Sequence, residues 1–240
     1  MPYSQINSLI GQNQQGYLNT VDVIQREILG TTISAVDNFY GFGEFQYVQF
    51  PASAAITQGQ VVVISGFGGA AGHAVSVATN AANSGRSIAV AINSVASVAS
   101  VQYGYVQISG AAVIKASASV AVGVTFGIDA VTGGSVGANS AGRQVLNAVT
   151  LAASTFSVVK TAVLTNGKTA ITVSNVDGVV PGFTVSGTGV SGTVVSIDPD
   201  SRTVTLSAAV TAGGNSSVTF TATGFIVAQI NRSFLQGAIT

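Results

Sequence analysis

The chain has 240 residues, of which 7% are charged, and its eight basic and eight acidic side chains cancel. An average soluble domain is roughly a quarter charged, and a neutral chain has no long-range field to draw in DNA or an anionic membrane, so neither is expected as a partner. With no cysteine in the sequence, disulfides, thiolate metal sites and Cys nucleophiles are excluded.

Mean hydropathy is +0.55, but the apolar residues are spread thinly. Runs such as Val61-Val62-Val63-Ile64 fall far short of the roughly 18–20 residues that span a bilayer. The N-terminal MPYSQINSLIGQNQQ has no basic stretch followed by an apolar block, so no signal peptide is expected. Abundant Val, Ser, Thr and Gly predict an all-β fold held by ladders and small-residue packing. The expected layout is a small barrel-like domain plus a second, β-sandwich-like module, preceded by an N-terminal arm with one short helix.

Residues 1–43 form the expected arm, rich in Asn and Gln. Within it, 20–29 reads as a helix. Thr20 can cap it, Asp22 sits in the first turn and Gly30 follows as a stop. Val21, Ile24 and Ile28 recur at helical spacing. Ten residues make no stable isolated helix, so this one must dock on its own domain or on a neighbour. The aromatic stretch that follows, with Phe39, Tyr40, Phe42, Phe45, Tyr47 and Phe50, has two readings. It is either a strand and loop packed on the next domain or an extended arm whose rings anchor in a partner's pockets.

The body is expected over 44–160 and 224–240, with strands at 60–65, 73–78, 87–93, 101–109, 111–116, 123–129 and 143–151. In 101–108, Val101, Tyr103 and Tyr105 share one face, and the apolar phase then inverts at Val106 and Ile108. That inversion predicts a bulge or a strand buried on both faces. A second module is expected over 161–223, inserted or appended. Its clearest hairpin is 193–207, turned by Asp198-Pro199-Asp200-Ser201. The final strand, IVAQIN from Ile226, echoes IAVAIN from Ile88; if the two are equivalent strands, the second module is an insertion.

Residues suited to chemistry are sparse. His73 is the single histidine, too few for a multi-histidine metal site, and catalysis would need an orienting partner beside it. The eight carboxylates are scattered, with no pair spaced for acid–base work. Asp198 and Asp200 read as turn formers rather than as calcium ligands with Asp177. The Gly66-Phe-Gly68-Gly69 and Gly187-Thr-Gly189 runs lack the following helix that makes a glycine loop a phosphate cradle. The expectation is a non-enzymatic protein with no cofactor and no metal.

Three stretches resemble the decoration domains of tailed-phage capsids: AITQGQVVVISG (55–66), GRSIAVAINSVASVASVQYGYVQISGAAVI (85–114) and SVAVGVTFGIDAVTGGSVGANSAGRQV (119–145). A further stretch, PGFTVSGTGVSGTVVSIDPDSRTVTLSAAVTAGGNSSVTFTAT (181–223), resembles a small β module of phage virion and bacterial surface proteins. The resemblance implies a cement protein, made in the host cytoplasm, that sits as a homotrimer on the outer face of the shell. Its partners would then be the major capsid protein and itself. Tyr3, Ile6, Leu9, Ile10 and Tyr17 of the arm, with Phe39, Tyr40 and Phe42, are the candidate contacts. The long N-terminal segment departs from the minimal decoration pattern. Alternative readings are a head-fibre, tail-tube or tail-fibre component, or a carbohydrate-binding adhesin module.

Overall fold

A computed structural model describes residues 4–5, 18, 20–66, 73–153 and 155–238. The fold is all-β, and the chain divides into two compact units. One holds residues 3–36, 40–154 and 224–240; the other holds 155–223 together with 37–39.

The larger unit runs through β1 (Ser4–Gln5), β2 (Thr32–Asp37), β3 (Gly41–Phe50), β4 (Val61–Ser65), β5 (Ala74–Val77), β6 (Ile88–Ala91), β7 (Gln102–Lys115), β8 (Phe126–Ile128), β9 (Val136–Ala138) and β10 (Val145–Ala152). The smaller unit follows, with β11 (Thr155–Leu164), β12 (Ala170–Val173), β13 (Thr184–Gly187), β14 (Val190–Asp198), β15 (Thr203–Leu206) and β16 (Gly214–Thr223), and β17 (Phe225–Leu235) then rejoins the first.

The large sheet has the order β1-β2-β3-β5-β4-β6-β7-β17-β10, with an added β3–β7 pairing. That pairing closes β3, β5, β4, β6 and β7 into a ring. Alternate side chains of a strand face opposite sides, and both sides are used here. Val62, Ala89, Ala91, Val106 and Ile108 pack with Val48, Phe50 and Val75 in one core. Their neighbours Val61, Val63, Ile88 and Val90 pack with Ile114, Phe126, Ile226 and Ile230 in a second. The two echoing segments, β6 and β17, lie on either side of β7.

The phase inversion between Tyr105 and Val106 has one of its two expected causes, burial on both faces; a bulge is also present, but it comes after the inversion. Both faces are buried, and the β3–β7 register slips where Glu44 pairs with Ser109 but Phe45 with Gln107. Before the slip, Val106 and Ile108 face the first core; after it, Ala112 and Ile114 face the second. Gly110 sits at the switch with φ +99°, where a β-carbon would run into the Phe42 carbonyl oxygen. Only glycine fits there.

In the smaller unit, β11-β12-β15-β14-β13-β16 close a six-stranded barrel. Val158, Ala162, Ile171, Val185, Val194, Val204, Val218 and Phe220 are buried, each alternating with exposed or half-buried neighbours. Phe156 meets Phe183 edge to face, with ring centroids 5.5 Å apart. The Asp198 turn joins β14 to β15, and Asp198 pairs with Thr203. Asp198 takes hydrogen bonds from the Ser201 hydroxyl at 2.7 Å and the Asp200 N–H at 3.1 Å; the side chain holds the turn.

The helix expected over 20–29 does not form. An α-helix would direct the Arg26 N–H at the Asp22 carbonyl. Instead that carbonyl accepts the Tyr103 N–H at 2.7 Å, and the Asp22 N–H goes to the Tyr103 carbonyl at 3.0 Å. The Arg26 N–H is taken by the Tyr47 hydroxyl at 2.9 Å. Pairing with the sheet satisfies the backbone better than fewer than three turns of marginal helix would. The Asp22–Arg26 ion pair, at 2.7 Å, survives in the loop.

Candidate functional site

Residues 20–30 form a strap across β3 and β7, and their side chains divide into anchors and an exposed crest. The Tyr105 hydroxyl donates to Glu27 Oε2 at 2.6 Å. Tyr47 lies between Tyr103, stacked at 6.5 Å, and Tyr105, tilted at 5.1 Å. The Gly30 N–H bonds the Tyr47 carbonyl at 2.8 Å. The His73 ring occupies the place where a β-carbon of Gly30 would be, so the histidine is a packing wall for the end of the strap. Val21 packs against the first core.

Burial holds the Tyr105 phenol protonated far above its usual range, and its bond to the Glu27 carboxylate adds to the shift. Burial raises Tyr47 as well, aided by the Glu27 and Asp22 charges. Asp22 is held below the usual carboxylate range, first by the Ile24 backbone N–H and then by the Arg26 side chain. These shifts mark a strap fixed by directed bonds.

The crest is apolar. Val23, Ile24 (56% exposed) and Ile28 (81% exposed) project into solvent. Three aliphatic side chains on a short strap with both ends pinned present a rigid apolar knob, which loses little conformational entropy on docking.

Of the expected contact residues, Tyr3, Ile6, Leu9, Ile10 and Tyr17 lie outside the described residues. Phe39 and Phe42 are exposed. Tyr40 is 8% exposed and lies inside the fold, in the turn just before β3. For Gly41–Phe50 the strand reading holds, with Phe45, Tyr47 and Phe50 buried. Val23 was not anticipated as a contact, and Ile24 and Ile28 were read as a helix stripe. Their spacing in the sequence signals a shared surface but not whether that surface faces in or out.

Among the described residues, no three His, Cys, Asp or Glu side chains gather where a metal ion could be held. Nor is any helix among them long and apolar enough to cross a membrane. The chain matches no family model, no characterised protein and no solved structure.

Proposed function

We propose that the chain is a structural subunit acting through adhesive surface, and that it decorates the outer face of a tailed-phage capsid as a homotrimer. The observation that carries the adhesive reading is the pinned strap with Val23, Ile24 and Ile28 exposed. A protein with only 7% charged residues and no net charge has little colloidal repulsion to keep copies apart, a property suited to a subunit that lives in an assembly. The capsid assignment rests on the resemblance of 55–66, 85–114 and 119–145 to decoration domains. Repeated contacts around a symmetry axis multiply modest individual affinities, which is how a small apolar knob suffices.

The test is binding of purified protein to expanded, undecorated shells, followed by electron microscopy. Wild-type protein should coat the heads and raise their resistance to bursting, and Ile24→Ser/Ile28→Ser should coat them poorly. Density on the tail instead of the head, or full occupancy by the double variant, would overturn the proposal.

A further inference from the structure

We propose that Lys160 and Asn175 become joined by an intramolecular isopeptide bond, a covalent staple between the first two strands of the barrel. The inference is independent of the capsid reading and rests on the side-chain geometry of the smaller unit.

Lys160 lies on β11 in the inward-facing row between the buried residues Val158 and Ala162. The β11–β12 register pairs Ala162 with Val173, and the Ser174 N–H bonds the Thr161 carbonyl at 2.9 Å. Continuing that register sets Asn175 directly opposite Lys160. The lysine Nζ is 2.5 Å from Asn175 Oδ1, which leaves the amide carbon at roughly the 3–3.5 Å separation of a near-attack pair. The same Oδ1 accepts the Asp177 backbone N–H at 3.3 Å, a donor placed to stabilise negative charge on that oxygen.

The surroundings suit the chemistry. Burial lowers the Lys160 pKa, against the opposing charges of Asp177 and Asp37, and so favours the neutral amine that acts as a nucleophile. Asp37 is fully buried and belongs to the same compact unit. Asp177 is fixed by Asn38, whose Nδ2 donates to its Oδ2 at 3.4 Å. These two carboxylates are the groups whose charge reaches Lys160.

In the reaction, the Nζ lone pair attacks Asn175 Cγ to form a C–N bond. One proton moves from Nζ to Nδ2. The Cγ–Nδ2 bond then breaks and ammonia leaves. One amide replaces another, so no oxidant, metal or cofactor is needed. In a chain without cysteine such a bond would serve where a secreted protein uses a disulfide, restricting the unfolded state and securing a strand pair.

Intact-mass spectrometry of the denatured full chain is the test. Aged wild-type protein should weigh less than its sequence by one ammonia, and proteolysis should give a branched peptide joining residues 160 and 175. Lys160→Arg and Asn175→Ala should both weigh what their sequences require. A wild-type mass equal to the sequence would overturn the proposal. So would an ammonia loss that persists in Lys160→Arg, since the Asn166-Gly167 step could lose the same mass by closing to a succinimide.

Discussion

The Tyr105 hydroxyl and the Glu27 carboxylate, 78 positions apart in the chain, meet at 2.6 Å beneath the strap. Tyr105 is fully buried, and the second oxygen of Glu27, Oε1, is buried without a hydrogen-bond partner among the described residues. The strap is therefore held by one charge-assisted bond, the Arg26 and Gly30 bonds to Tyr47 and a pair of backbone bonds to Tyr103. It is fixed without helical structure, so the crest side chains need not shift to meet a partner.

Removing the Tyr105 hydroxyl takes away the donor to Glu27 Oε2, beside an Oε1 that is already buried without a partner. Tyr105→Phe should destabilise the protein by about 1–3 kcal/mol, the cost of stranding a buried polar group. Denaturant unfolding measures the loss, and faster amide exchange at Arg26 and Gly30 would show that it is centred on the strap. An unchanged midpoint would mean that water replaces the hydroxyl at no cost.

Alkaline titration should find these phenols reluctant to ionise. The folded-state pKa values of Tyr105 and Tyr47 are raised above the ordinary 10.0, so above that pH the unfolded chain releases protons that the folded chain keeps. Stability is then fully present below about pH 10 and falls as pH rises. Phenolate absorbance from these two should grow only as the protein unfolds. In Tyr105→Phe the alkaline decline in stability should be shallower.

What the sequence disclosed was local and periodic. The Asp198 hairpin was legible because its turn chemistry and its flanking β-branched runs agree. The inversion at Val106 and Ile108 was legible because a strand buried on both faces carries apolar residues in both phases of the alternation. The strap was not legible. Val21, Ile24 and Ile28 carry a real helical spacing, and what overrides it is a backbone partner, Tyr103, some 80 positions away. The pairing of Lys160 with Asn175 was equally hidden, since it depends on a register that composition does not encode.

Replacing Ile24 and Ile28 by serine separates docking from folding. Both side chains are exposed, so stability should change by no more than about 0.5 kcal/mol per site. Central interface aliphatics commonly contribute more than about 1 kcal/mol each to binding, and repetition around an axis compounds the loss. Ile24→Ser/Ile28→Ser should unfold at the wild-type temperature yet associate at least tenfold more weakly, a difference that sedimentation against concentration resolves. Phe42→Ser is the companion variant, because Phe42 is also exposed but lies outside the strap; it should disturb association less.

Acid should loosen three turns before it reaches either core. Asp129 is held below the ordinary 3.8, first by the Thr132 N–H and then by Ser117. Asp198 is held low by the Ser201 hydroxyl and backbone, and Asp22 by Ile24 and Arg26. A carboxyl with a depressed folded pKa contributes stability that is fully present above its unfolded value and lost as pH falls through the folded one. The window therefore opens near pH 3.8 and extends below it. Asp198 is exposed and Asp22 and Asp129 are half-buried, all open to solvent on one side, so the effect is small and weakens with salt. Asp22→Asn/Asp129→Asn/Asp198→Asn should be slightly less stable than wild type at neutral pH and nearly equal to it in strong acid. Thermal melts across pH 2–7 measure the convergence; parallel curves would mean that the lost acid stability resides in other groups.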